Sequence, residues 1–192
     1  MQAGTTQGSR AISSTNKIVD YNSDPFAHAR SSECSTLPRL AANISNTMVS
    51  GTIYAARAVY TGNQASNQFT TVRFMLPSIT STTFSQLRAA VYDSTGALVT
   101  NGYTADLSGS ATASALMTGA LNATITLTAG TVYYLGIVAV FTGTAPSFRG
   151  MTTSAAIAGL APQISRSATG YTTGIPGSVS SATALIPWVE LY

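Results

Sequence analysis

Leu121-Asn122-Ala123-Thr124-Ile125-Thr126-Leu127 is followed, after Thr128-Ala129-Gly130, by Thr131-Val132-Tyr133-Tyr134-Leu135-Gly136-Ile137-Val138-Ala139-Val140-Phe141. The first run alternates. Leu121, Ala123, Ile125 and Leu127 fall on one side of an extended chain and Asn122, Thr124 and Thr126 on the other, because successive side chains of a strand point to opposite faces. The second run is apolar on both sides and rich in Val, Ile, Tyr and Phe. It is far shorter than the ~20 residues that a membrane-spanning helix requires. It therefore predicts a central strand covered on both faces. Tyr134, Val138 and Val140 are expected in the core, together with Phe74 and Val91.

The same texture extends outward. Thr52 to Tyr60 is β-prone and ends at Thr61-Gly62-Asn63. Gln68 to Leu76 puts Val72, Phe74 and Leu76 on one face and Thr71, Arg73 and Met75 on the other, and Pro77 stops it because proline cannot donate to a ladder. Leu87 to Tyr92 and Ala97 to Tyr103 flank Asp93-Ser94-Thr95-Gly96, whose first and fourth residues suit a type I turn. Ser147 to Met151 reads as a short strand. Leu185 to Leu191 closes the chain, with Pro187 marking an edge or a bulge. Only Ser154 to Leu160 can form a helical turn. Many short strands between Gly, Asn, Asp and Pro breaks predict an all-β fold, an antiparallel β-sandwich of jelly-roll type, over residues 51–192.

Residues 1–50 read differently. Arg10, Lys17, Arg30 and Arg39 with Asp20, Asp24 and Glu33 make seven of the fifteen charges of the chain. Apolar residues are scattered with no period, and Asp24-Pro25 and Leu37-Pro38 interrupt the backbone. The expectation is an extended, irregular N-terminal arm that orders on a partner. Tyr21, Phe26, Leu37 and Leu40 are its apolar anchors, and Arg10, Lys17, Arg30 and Arg39 its polar clamps.

Only 8% of the 192 residues are charged, against roughly 25% in ordinary soluble domains. Ser and Thr, roughly a quarter of the chain, supply the polarity instead. Such a weakly repulsive surface suits a protein that works in an assembly. The net charge of +3 comes from basic residues of which no two are adjacent, so no nucleic-acid footprint is expected. The N-terminus lacks the basic and apolar regions of a secretory signal. Cys34 is the single cysteine and His28 the single histidine, too few for a disulfide or a structural zinc site. Asp93, Asp106 and Glu190 are the carboxylates of the β region, with no nucleophile elbow or phosphate loop beside them. No enzyme activity, cofactor or metal is expected. Tyr103 and Tyr171, in loop-like settings, are the candidates for stacking on a sugar.

Five pieces occur in order: Gly51-Thr-Ile-Tyr-Ala-Ala-Arg-Ala-Val-Tyr60, Thr71-Val-Arg-Phe74, Leu87-Arg-Ala-Ala-Val-Tyr-Asp-Ser-Thr-Gly-Ala-Leu-Val99, Leu127-Thr-Ala-Gly-Thr-Val-Tyr-Tyr-Leu-Gly-Ile-Val138 and Thr144-Ala-Pro-Ser-Phe-Arg-Gly150. This series resembles the β-sandwich domains on virion surface proteins of tailed phages that infect actinobacteria, described as minor tail, tail-fibre or head-fibre proteins. The resemblance spans residues 51–192 and offers no catalytic residues. It implies a structural or adhesive protein on the capsid or tail surface, made in the host cytoplasm and assembled as a homotrimer. The implied partners are the major capsid protein or tail proteins, and a host-surface glycan. With no heptads and no collagen-like run, a capsid decoration or minor capsid protein held by its arm is favoured over a minor tail, baseplate or fibre component. A stand-alone carbohydrate-binding module is the remaining alternative, and it calls for a signal peptide or a fused enzyme.

Overall fold

A computed structural model of the chain describes residues 34–37, 41–60, 62 and 67–192. Its strands in chain order are β1 (Cys34–Ser35), β2 (Ile44–Thr47), β3 (Thr52–Val59), β4 (Gln68–Leu76), β5 (Thr82–Tyr92), β6 (Leu98–Tyr103), β7 (Ala115–Thr126), β8 (Val132–Gly143) and β9 (Ser147–Thr152). After the one-turn helix α1 (Ala155–Ala158) come β10 (Ser165–Ala168), β11 (Ser181–Ala182), β12 (Leu185–Pro187) and β13 (Val189–Leu191). The fold is an all-β antiparallel sandwich. A six-stranded sheet runs β11-β10-β3-β8-β5-β6, a four-stranded sheet β1-β13-β4-β7 and a three-stranded sheet β12-β9-β2.

β8 is the central strand that its sequence predicts, paired along its length with β3 and β5. Its two faces belong to two cores. Tyr133, Leu135, Ile137 and Ala139 enter the main core between the sheets, where they share one cluster with Phe69, Val72 and Phe74 of β4. Tyr134 and Val138 face outward into a second cluster with Ile53, Ala55, Ala90, Tyr92 and Val179.

That outer face is roofed by the segment from Tyr171 to Val179. The roof is tied down at intervals: Tyr171 N donates to Gly51 O (3.1 Å), Leu98 N to Gly177 O (2.9 Å) and Val179 N to Gly96 O (2.8 Å). The Gln86 side-chain amide donates to Gly174 O, and the Tyr92 hydroxyl to Pro176 O at 3.1 Å. Gly96 permits the closest approach. Its φ is +93°, and a Cβ there would lie 2.1 Å from Val179 O.

Some residues depart from the expected pattern. Ala123 is exposed, although it shares the alternation of Leu121 and Ile125, which are buried. The β4–β7 pairing skips from Phe69↔Ile125 to Thr71↔Ala120, so Ala123 sits in the irregular stretch where alternation no longer maps onto faces. Val140 is half-buried rather than core, near the end of β8 where pairing with β5 shifts between Phe84 and Gln86. The strand read over Leu185 to Leu191 breaks at Trp188, and its halves join different sheets. Trp188 N donates to Arg149 O of β9, while Val189 pairs with Phe74 of β4. Pro187 ends β12, which is an edge strand.

The sheets also take in residues before 51. Cys34 and Ser35 pair with Leu191 and Glu190, and Ile44 to Thr47 pair with β9. The described part of the stretch read as an arm therefore supplies two edge strands. Arg10, Lys17, Tyr21, Phe26, Arg30, Arg39 and Leu40, and the arm conformation expected of them, lie outside the described residues.

Candidate functional site

Ala55-Ala56-Arg57-Ala58 puts a single charge among small side chains inside β3. β10 covers the outer edge of β3 only from Ile53 to Ala56. The last link is Arg57 N donating to Ile164 O at 2.8 Å. Pro162 precedes it and has no N–H with which to continue a ladder. Ala58 and Val59 are thus left without a strand neighbour on that side among the described residues.

A cleft of about 550 Å³ opens at this bare edge. Its walls are Ser35 to Leu37, Arg57 to Val59, Met151 to Thr153, Ile164 and Ile186. Residues from both faces of β3 line it. Ala58 belongs to the main core, whereas Arg57 pairs with Tyr134 on the side of the outer cluster. A groove can touch both faces of a strand only where the edge between them is open.

The walls are fastened. The Thr36 hydroxyl donates to Pro187 O (2.6 Å) and accepts from Val189 N (3.0 Å), which locks the Ser35–Leu37 wall to the turn between β12 and β13. On the opposite wall, the Asn46 amide donates to Met151 O (3.2 Å) and accepts from the Thr152 hydroxyl (2.7 Å). Thr153 N donates to Ala184 O at 2.9 Å. The cleft is therefore preformed.

Its one charged group is Arg57. Of the five described arginines, Arg88 and Arg149 donate to the carbonyls of Thr104 and Asn43. Arg73 lies 3.3 Å from the centre of the Tyr192 ring. Arg166 lies over Tyr134 and donates to the Gln163 side chain. Arg57 has no such side-chain partner among the described residues, and its Nε is buried without a hydrogen bond.

Two of the three carboxylates of the β region are committed elsewhere. Burial pushes Asp93 upward, but the Thr95 hydroxyl and the backbone N–H groups of Ala97, Thr95 and Gly96 outweigh it and hold the carboxyl below its ordinary value. Asp106 is likewise raised by burial and then lowered further by Leu87 N, Ser108 and the nearby Arg88. Both are structural acceptors: Asp93 closes the β5–β6 turn, and Asp106 accepts from Leu87 N inside β5 and from Ser108 N. Glu190 is buried in β13. Burial pushes the Cys34 thiol up to about 12, away from the range of a nucleophile.

Neither a protein-family model nor a curated protein matches this chain in sequence.

Among the residues singled out from the sequence, Leu37 is half-buried and lines the cleft. Tyr103 is in β6 rather than in a loop and packs, partly buried, against the outer cluster. Tyr171 is tied to Gly51 ahead of β3, three strands from β6 in sheet order. Neither tyrosine lines the cleft. Trp188 is 6% exposed and stands between the edge strand β12 and β13, which is flanked by β1 and β4. Arg57 went unnoticed in the sequence. Its signal was available: a lone charge between alanines in an otherwise uncharged β-prone run.

The cleft offers hydroxyls, one guanidinium and apolar walls. These groups bind carboxylates, carbonyls and hydrocarbon.

Proposed function

We propose that the chain is a non-enzymatic structural protein of a tailed-phage virion, a capsid-associated decoration or minor capsid protein that acts as a homotrimer held through its N-terminal segment. The observation that carries the assembly role is the cleft: a strand edge uncovered among the described residues, beside Arg57 with its buried, unbonded Nε, and walled on one side by Ser35 to Leu37. An uncovered edge and an unmatched charge are costs that a neighbouring polypeptide removes. Exposed Ile44 and Val49, on and just after the edge strand β2, add apolar surface of the same kind. The low charge of the chain agrees with a life in close contact with other proteins. The virion assignment comes from the order of the five pieces within residues 51–192. Minor tail or baseplate placement is the second reading, on the same resemblance.

The test is fractionation of purified particles from the source culture into heads and tails, followed by peptide mass spectrometry. The chain is expected with heads. Its recovery with tails would select the second reading, and its absence from particles would overturn both. Sedimentation of the purified chain is expected to give a trimer at micromolar concentration, and monomer alone would remove self-association from the proposal.

A further inference from the structure

We propose that the cleft at the end of β3 takes an extended segment of a partner polypeptide, added as a short strand beside Ala58 and Val59, with a carboxylate of that segment set on Arg57. The proposal rests on the reading of the cleft as an assembly contact and names what fills it.

Three observations define the occupant. The first is the open edge. β10 stops at its pairing with Ala56 and the last main-chain link is at Arg57, so outward main-chain groups past that point meet no strand among the described residues. An added strand offers them a donor and an acceptor in register, and an alkyl chain offers neither. The second is charge. Arg57 has a buried Nε without a partner, while Asp93 and Asp106 are held in their own turns. Arg57 forms no ion pair among the described residues, and an acid on the occupant would supply one. The third is the alternation of a strand. Arg57 lies on the outer side of β3 and pairs there with Tyr134. The cleft also has apolar walls, Leu37, Met151, Ile164 and Ile186. Successive residues of an added strand point alternately to its two sides, so an acid set on Arg57 has its two neighbours on the other side of that strand. The recognised pattern is therefore an acid flanked by apolar residues, which meet those walls.

The probe is the capped peptide acetyl-Thr-Val-Asp-Val-Thr-amide, titrated into the full chain by heteronuclear NMR. Amide shifts are expected at Arg57 to Val59, Met151 to Thr153 and Ile164. Replacing its Asp by Asn should weaken binding roughly tenfold, the loss of a charge-assisted pair. N-methylation at the two Val positions should abolish binding. Arg57→Met, checked for folding by circular dichroism, should bind the Asp and Asn peptides equally. Because this compares two ligands on one variant, a modest loss of stability does not obscure it.

Equal affinity of the Asp and Asn peptides for the unaltered chain would overturn the proposal. So would an N-methylated peptide that binds like its parent, especially if decanoate displaces it, since the cleft would then be a site for amphipathic anions. Tighter binding of the chain's own residues 15–27, which include Ile18-Val19-Asp20-Tyr21, would replace the foreign partner by this chain. If the peptide results hold and particles still carry Arg57→Met at full occupancy, the inference stands and the assembly role falls. If that variant is lost from particles with no peptide binding in either form, the role stands and the inference falls.

Discussion

Cys34 and Val138 show how a single buried atom governs this fold. Cys34 is 1% exposed and pairs with Leu191, and burial raises its thiol from 9.0 to about 12. An unfolded chain releases that proton near pH 9, whereas the folded chain keeps it to about pH 12. The stability present below pH 9 should therefore fall as pH rises from 9 towards 12. Tyr92, raised by burial and by neighbouring Tyr171, acts in the same direction above pH 10. Urea midpoints are expected to fall steadily between pH 8 and 11, and to fall less in Cys34→Ala. A midpoint that rises with pH would contradict the burial of both groups. At neutral pH the thiol should ignore a disulfide reagent until the chain unfolds. Val138 has no exposed surface and faces the outer cluster. Val138→Asp would bury a carboxylate without a partner, at a cost of about 4 kcal/mol or more, enough to unfold a domain of ordinary stability. An unchanged melting temperature would refute the central placement of β8. Val138 was legible because apolar residues on both faces of a run have one explanation. Ala123 was not, because alternation fails to mark the faces where pairing is irregular.

Whole elements were legible in proportion to their length. β4 occupies the stretch its sequence marked, from Gln68 to Leu76, and β8 starts at Val132, within one residue of its reading. β5 and β7 begin earlier than expected, at Thr82 and Ala115: the Thr82-Thr83-Phe84-Ser85 start of β5 carries little apolar signal, and Thr118-Gly119 inside β7 reads as a break. The roof from Tyr171 to Val179 was not legible as a roof. It is irregular, and hydrogen bonds to the six-stranded sheet hold it rather than a periodic pattern. The cleft was hidden for the same reason, since the short length of β10 decides where the edge of β3 opens. Gly96 tests the attachment of the roof. Alanine there meets both a positive φ and the Val179 carbonyl, whereas Gly130, with φ of +77°, has open space around it. Gly130→Ala should cost about 1 kcal/mol for the backbone alone. Gly96→Ala should cost roughly 2–4 kcal/mol, because the roof must also shift. Equal costs in urea denaturation would show that the roof does not need the close contact.

At the scale of the molecule, the question is where an N-terminal segment can be removed. The sequence placed the sandwich at residue 51, which would make deletion of residues 1–45 harmless to folding. The sheets say otherwise. Cys34 is buried against Leu191, the Thr36 hydroxyl holds the turn between β12 and β13, and buried Asn46 links β2 to β9. Removing residues 1–45 strips β1 from β13 and leaves the core beside it uncovered, a loss of several kcal/mol by the transfer of that apolar surface to water. Removing residues 1–33 spares every described strand. Trp188 reports on the difference, because it is the single tryptophan, it is 6% exposed, and it lies at the turn that Thr36 holds. The chain lacking residues 1–33 should keep blue-shifted emission and a cooperative melt. The chain lacking residues 1–45 should show red-shifted emission and a melting temperature lower by roughly 10 °C or more. If the shorter deletion alone abolishes loading onto particles, residues 1–33 carry attachment while the sandwich remains intact. If it loads fully, the cleft and the sheet edges are the attachment surface. Identical emission and melting for the two deletions would mean that β1 and β2 add nothing to the core, contrary to the pairing of Cys34 with Leu191 and of Ile44 with Gly150.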